Sequence, residues 1–319
     1  MPEDKRMKKS WVNVLRVLIS AGALAFLFWR IGLGETLVVL RRADLHYLLA
    51  AFLLFVLSLV IRAYRWLVLL RGLDPTVPFG RLLRLYFVGQ FFSSFLPSQF
   101  GGDVVRALEL TRDTDASAAV GTVLLDRMTG LLVLFVMGLA VLPFHAARME
   151  SWLVWLLLVV AGGGLIAGAL VLEGNFLRRL TGWLPGGLSL AGEGPLAKVY
   201  AAVTGCGWRA VLSAFGVSVV FNVVNVAINW LCGQAVGAGI GLGYFFAVTL
   251  LLSVSGLIPS IGGWGVREAV STAVFAPTGA GANVSAALGM SLGGITLAVG
   301  LVGGILYGVE GLRGLRARR

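Results

Sequence analysis

Charge is what this sequence has least of. Only 13% of its 319 residues are Asp, Glu, Lys or Arg, against 58% apolar residues and a mean hydropathy of +0.91. A soluble domain of this length carries about a quarter charged residues, and here there are too few to coat a water-facing surface around one core. The composition therefore points to a chain solvated by lipid. Histidine and cysteine are scarcer still, with two of each: His46, His145, Cys206 and Cys232. The cysteines form no motif, so neither a disulfide framework nor a metal site follows from them. The histidines fall at the ends of apolar segments, which excludes a catalytic dyad or a zinc centre. No nucleotide-binding loop is present, so nucleotide hydrolysis is not the energy source. No cofactor is expected.

What the sequence does have is long apolar runs. One extends from Trp11 to Ile31 behind the basic cluster Lys5, Arg6, Lys8 and Lys9. It continues past the small residues Ala23 and Ala25 through Phe26, Leu27, Phe28 and Trp29, and so reads as an uncleaved first span rather than a signal peptide. Arg16 and Arg30 are placed to snorkel towards its two ends. Further runs cover about 45–70, 117–142, 152–172, 211–236 and 284–308, each long enough to cross a core of about 30 Å. The expected class is an all-α polytopic membrane protein with six full spans. Two shorter apolar stretches, 82–96 and 244–258, each run into a Pro-Ser and Gly-Gly break followed by a short helical pattern. They predict re-entrant helical hairpins over 82–112 and 244–276, tolerated at membrane depth where they are buried in protein or line a cavity.

The basic residues orient this arrangement. With the N-terminus inside, Arg71, Arg81, Arg84, Arg178, Arg179, Lys198, Arg209, Arg313, Arg316, Arg318 and Arg319 all fall on the cytoplasmic side. Basic cytoplasmic loops are the rule for membrane chains. Both termini are therefore expected in the cytoplasm of a bacterial or archaeal cell membrane. The net charge of +11 has the same source and does not call for nucleic acid, because no basic soluble module remains outside the spans. The 173–210 loop alternates Phe176, Leu177, Leu180, Trp183 and Leu184 with Arg178 and Arg179, the pattern of an interfacial amphipathic segment. Trp11, Trp29, Trp152, Trp183 and Trp208 read as an interfacial belt.

The two breaks match each other. The first is Phe95-Leu-Pro-Ser-Gln-Phe-Gly-Gly-Asp-Val-Val-Arg106 and the second Leu257-Ile-Pro-Ser-Ile-Gly-Gly-Trp-Gly-Val-Arg267. Each has Pro-Ser, then Gly-Gly, then Arg four residues after the second glycine, which suggests a duplicated unit. A first repeat over 45–142 and a second over 211–308, joined by 143–210, would have opposite orientations in the membrane. Inverted repeats with broken helices at the midplane characterise many secondary transporters. Proline stops the entering helix, the glycine pair permits positive φ and close backbone approach, and the restarting helix offers free N–H groups to an anion. Arg106 and Arg267, one turn in, add bidentate donors suited to phosphate. The expectation is a pair of facing electropositive pockets formed by Gly101, Gly102 and Arg106 and by Gly262, Gly263 and Arg267. Asp103, Glu109 and Glu268 beside these arginines read equally as salt partners and as proton-coupling groups.

Other candidates lie within the spans. Asp126 and Arg127 must face the bundle interior or a cavity, as an ion pair or as part of a pathway. Asn222, Asn225 and Asn229 share one helix face and suit interhelical hydrogen bonds. Arg62 and Arg65 read as snorkelling residues and Arg41 and Arg42 as surface charges. Gly162, Gly163 and Gly164 suit close helix packing. Asn283-Val-Ser285 matches a glycosylation acceptor, a pattern too frequent to carry weight.

The Phe-Leu-Pro-Ser-x-x-Gly-Gly-Asp-Val-Val-Arg stretch, Leu124-Leu-Asp-Arg127 and the later Ile-Pro-Ser-x-Gly-Gly-x-Gly-Val-Arg-Glu268 resemble the lysylphosphatidylglycerol synthase transmembrane-region family over essentially the whole chain. That resemblance implies lipid movement between leaflets, with aminoacylation belonging to a soluble domain that multidomain members carry. It implies a stand-alone translocator here. The family commonly has Glu where this chain has Asp126, a change that keeps the charge and shortens its reach.

The expected function is a flippase or scramblase-like translocase, not an enzyme, acting on a phosphate-containing lipid through a central polar cavity. Its expected partners are membrane lipids with anionic head groups and no nucleic acid, with a homo-oligomer left open. Two alternatives stand beside it. One is a membrane enzyme acting on a lipid-linked phosphate, with Asp103 and Glu109 holding a divalent metal. The other is a small-anion transporter using the paired arginines.

Overall fold

The computed structural model describes residues 33–316 apart from 75, 97–98, 174–178, 180, 182–189 and 191–193. The predicted span over 11–31, the Pro97-Ser98 pair and, in the amphipathic 173–210 segment, Phe176, Leu177, Arg178, Leu180, Trp183 and Leu184 lie outside the described residues. Within them the chain is helical: α1 (Leu33–Arg41), α2 (Leu45–Leu70), α3 (Phe79–Phe95), α4 (Phe100–Leu110), α5 (Ala116–His145), α6 (Ser151–Glu173), α7 (Pro195–Gly205), α8 (Trp208–Ala235), α9 (Leu242–Ser255), α10 (Val266–Phe275) and α11 (Ala282–Arg316).

Five of these helices are long and apolar enough to span a membrane: α2, α5, α6, α8 and the Ala282–Val309 part of α11. They coincide with the five runs predicted between residues 45 and 308. The protein is a multi-pass all-helical membrane protein. Shorter helices occupy the two broken stretches, as α3–α4 and α9–α10. Their boundaries follow local chemistry. Asp115 caps α5 by accepting from Ser117 N at 2.8 Å, and this bond holds its carboxyl below the usual aspartate range. Pro195 opens α7 at a position where its missing N–H costs nothing. Asp44 likewise accepts from His46 N at 2.8 Å at the start of α2.

The chain resolves into two compact units that share helices. One takes the described residues up to Val56, Phe87–Asp103 and those from Val226 onward. Here α10 packs on α9 and α11, and α11 also packs on α1. The helices come close because glycines remove the side chain at the contact. A Cβ on Gly303 of α11 would lie 1.9 Å from Phe87 O, and one on Gly102 would lie 2.1 Å from Gly89 O. Such backbone-limited contacts are the packing mode that small residues permit in membranes.

The other unit takes Leu57–Tyr86 and Val104–Asn225. In it α5 packs on α6 and α7. Gly164 and Gly168 of α6 seat the side chains of Phe135 and Leu132, whereas Gly162 and Gly163 have open space around them. Only one member of the predicted glycine run therefore serves packing within the chain. Leu69, Leu125, Val203, Cys206 and Ala214 form a buried cluster in this unit. Burial there pushes the Cys206 thiol up to about 11, which makes it an inert structural cysteine.

Candidate functional site

The first centre lies on α2, α3, α4 and α5 in the second unit, around Asp126. Arg65 donates through Nε to Asp126 Oδ1 at 2.7 Å and through Nη1 to Ser218 Oγ at 3.0 Å. Arg106 Nη1 lies 3.6 Å from Asp126 Oδ2, and the Tyr86 hydroxyl donates to the same oxygen. The Arg106 guanidinium sits 4.0 Å from the centre of the Tyr86 ring and 5.0 Å from that of Trp66. Trp66 in turn donates to Thr122 Oγ1 at 3.1 Å. Arg65, Arg106, Asp126, Tyr86 and Trp66 are all buried. A third arginine, Arg62, half-buried, faces the rings of Tyr86 at 5.0 Å and Phe221 at 5.5 Å.

Three guanidinium groups thus surround one carboxylate. Asp126 carries the counter-charge that Arg65 and Arg106 face, and the guanidinium groups of Arg62 and Arg106 also lie over aromatic rings, whose quadrupoles attract cations. Each such cation in a membrane interior costs several kcal/mol unless it is compensated, so it is retained for a purpose or a partner. Planar guanidinium groups offer paired N–H donors that match the oxygens of a phosphate. Asn222 borders this centre on α8, donating to Gly130 O at 3.0 Å and to Ser218 O at 2.9 Å.

The second centre lies in the first unit, where the break after α9 packs against the end of α3. Gly262, Gly263 and Gly265 all have positive φ, at 60°, 81° and 82°, a backbone that glycine adopts without steric cost. A Cβ on Gly262 would lie 2.6 Å from Ser94 O, and one on Gly256 2.4 Å from the Gln99 amide. The two broken stretches therefore meet within this unit. Arg267 is buried in the first turn of α10 and donates through Nη2 to Gly262 O at 3.2 Å. Glu268, also buried, accepts from Gly265 N through Oε2 at 2.7 Å. Gly293 lies alongside the guanidinium, leaving room for it.

The sequence candidates fall out as follows. Arg106 and Asp126 come together, and Arg267 and Glu268 sit in the other centre. Gly101 and Gly102 do not precede the restarting helix, because α4 begins at Phe100 and includes them. Arg106 is consequently almost two turns into α4 rather than one, while Arg267 is the second residue of α10. Glu109 pairs with Arg112 at 2.8 Å and lies 3.7 Å from Arg81, not beside Arg106. Asp103 and Arg127 are half-buried, as is Asn225, whereas Asn222 and Asn229 are buried. The snorkelling expected of Arg65 is replaced by a buried ion pair. No group of acidic, histidine or cysteine residues that could hold a metal occurs among the described residues. Arg62, Arg65 and Tyr86 are the residues that sequence reading missed. A signal existed in the spacing of Arg62 and Arg65, three apart on one helix face, but the hydrogen-bond partners of Arg65 are 61 and 153 residues away.

A family model described as the lysylphosphatidylglycerol synthase TM region matches residues 13–304. The chain belongs to that family. Among curated relatives it is 29% identical over 140 residues to UPF0104 membrane protein PH1989 of Pyrococcus horikoshii, a match covering 41% of this chain and 42% of the relative. It is 26% identical over 299 residues to a UPF0104 membrane protein of Methanothermobacter thermautotrophicus, covering 86% and 88%. It is 23% identical over 312 residues to UPF0104 membrane protein MJ1595 of Methanocaldococcus jannaschii, covering 90% of each. The three relatives are archaeal membrane proteins whose names state no activity. In this member of the TM-region family both arginine centres fall inside the matched residues.

Proposed function

We propose that the chain is a lipid translocator, flippase or scramblase-like, that moves a phosphate-bearing head group between leaflets while the acyl or prenyl chains remain in the bilayer. The observation that carries this reading is the gathering of three guanidinium groups, those of Arg62, Arg65 and Arg106, about Asp126 and the Tyr86 ring. Arg62 supports it further, since its guanidinium is half-buried and lies over the rings of Tyr86 and Phe221. A phosphate diester would match the paired donors of these guanidinium groups, and a lipid anchor would keep it at the depth where the arginines sit. Arg267, with the glycine-lined turn beside it, would serve as a second anion contact. The matching broken stretches fit an inverted repeat of two re-entrant hairpins, with both termini cytoplasmic as the basic loops suggest.

Reconstitution into vesicles with a fluorescent phospholipid, read by quenching of the outer leaflet, tests the proposal. Wild type should accelerate exchange between leaflets. Arg62→Ala and Arg267→Ala should reduce it to the protein-free rate while eluting as folded protein in size exclusion, and Arg106→Ala should do the same if it folds. Wild-type rates in both Arg62→Ala and Arg267→Ala would overturn the proposal. So would counterflow of a soluble anion without any lipid movement.

A further inference from the structure

Glu268 is more than a helix cap requires. Its Oε2 accepts from Gly265 N at the start of α10, a task that glutamine performs as well as glutamate. Yet the residue is a carboxyl at 0% exposure, and its Oε1 has no hydrogen-bond partner among the described residues. Arg267, adjacent in sequence, turns back to Gly262 O, and its own Nη1 is also without a partner. No hydrogen bond joins the two side chains. A buried carboxylate and a buried guanidinium left in this state are expensive unless one is neutral or a ligand completes them.

Among the described residues no other charge acts on this pair. The titratable neighbours are Arg267 on α10 itself and Cys232 of α8 beside Arg267. Helix α11 presents Gly289, whose missing side chain lets the backbone lie against Glu268 and Ser271. Helix α9 presents Tyr244, whose hydroxyl is committed to Val274 O at 2.7 Å. Ser271 Oγ, one turn along from Glu268, is a further buried polar atom without a partner.

We infer that Glu268 is a proton-binding site linked to anion occupancy at Arg267, so that lipid movement is coupled to a proton. The inference rests on the translocator reading for the identity of the anion. With Glu268 ionised, the Arg267–Glu268 pair is net neutral and has little field to offer a phosphate. When Oε1 takes a proton from the aqueous phase, an O–H bond forms, the carboxyl becomes neutral and Arg267 stands alone as a cation. Proton and anion therefore favour each other's binding, by the same factor in each direction. A fully enclosed carboxyl can exchange its proton with water only when the surrounding helices part, which ties protonation to the conformational step. On release of the anion the proton returns to water and Oε1 is again ionised.

Infrared difference spectroscopy on the purified full chain, between about pH 5 and about pH 9, reads protonated carboxyl groups directly. Wild type should show a protonated-carboxyl band that Glu268→Gln lacks. An identical band in the two proteins overturns the inference. Because glutamine keeps the bond to Gly265, the variant retains the start of α10. Should it nevertheless fail to fold, Arg267→Gln provides the check, since loss of the neighbouring cation must raise the band's midpoint by roughly one pH unit. An unmoved midpoint overturns the inference. In vesicles containing fluorescent phosphatidylglycerol, an imposed pH gradient should change the wild-type rate about threefold or more, a difference in driving force of under 1 kcal/mol, and leave Glu268→Gln unaffected. Lipid movement with the same gradient response in both proteins overturns the coupling and leaves the translocator reading standing. A Glu268 band without lipid movement in any protein supports the proton site and overturns the translocator.

Discussion

The two Pro-Ser, Gly-Gly, Arg breaks share their letters and differ in what those letters do. In the first, Gly101 and Gly102 lie inside α4, and Arg106 reaches a buried network of Asp126, Tyr86 and Trp66. In the second, Gly262 and Gly263 form a left-handed turn outside the helix, and Arg267 donates to the carbonyl of Gly262. The first arginine is therefore tied to a buried carboxylate on another helix, and the second to the backbone of its own turn. A duplicated motif can thus divide labour, because an arginine's role is set by the partners its helix brings to it.

The largest expected difference concerns stability. Asp126→Ala removes the acceptor shared by Arg65 and Tyr86 and the carboxylate that Arg106 faces, and leaves the buried Arg65 without its counter-charge. It should cost about 3–5 kcal/mol, read as a lost or strongly lowered unfolding transition in detergent. Equal stability of Asp126→Ala and wild type would remove the basis for calling this centre structural.

Backbone-limited contacts should come next. Gly303→Ala forces a Cβ against Phe87 O and should cost about 1–3 kcal/mol by overpacking. Gly162→Ala, with open space around it, should be neutral or stabilising, since alanine gains up to about 1 kcal/mol in a helix. The same unfolding measurement ranks the pair.

A third pair separates the breaks themselves. Gly262→Ala meets both a positive φ and Ser94 O, with about 1–2 kcal/mol for the backbone conformation alone. Gly101→Ala meets the Leu96 side chain, including its Cβ at 2.7 Å, but it has no left-handed backbone to strain and recovers helix propensity, so it should cost less. The reverse order would mean that the turn is not needed at the second break.

Arg267→Ala should lower stability by only about 1 kcal/mol, the worth of one hydrogen bond, while abolishing lipid movement. A stability loss matching that of Asp126→Ala would erase the distinction between the centres.

The smallest effect is a pH dependence at the start of α5, the helix that carries Asp126. Asp115 has its carboxyl pKa lowered by the hydrogen bond from Ser117 N. A lowered folded-state value means that its contribution is present above the unfolded value of 3.8 and fades as pH falls through the folded one. Wild type should lose a little stability on acidification below about pH 4 that Asp115→Ala does not lose.

Much of this was legible in the sequence for a simple reason. Spans of 20 or more apolar residues have only one cheap backbone state in lipid, so the runs at 45–70, 117–142, 152–172, 211–236 and 284–308 translate directly into α2, α5, α6, α8 and α11. The buried charge at Asp126 was legible for the same reason, because lipid penalises it wherever it points. Arg65 was not. An arginine near a helix end can snorkel or turn inward, and whether a carboxylate waits for it depends on a residue 61 positions later.

By itself, then, the sequence determined the solvent, the number and extent of the long helices between residues 45 and 308, and the short list of costly polar residues within them. These follow from local composition acting against a uniform apolar medium. Only the tertiary structure decided which arginine was paired with which acid, that Arg65 and Arg106 share Asp126, and that Glu268 and Arg267 each keep a buried polar atom without a hydrogen-bond partner among the described residues. Those outcomes depend on long-range contacts between helices, and a residue's own neighbours in the chain carry no information about them.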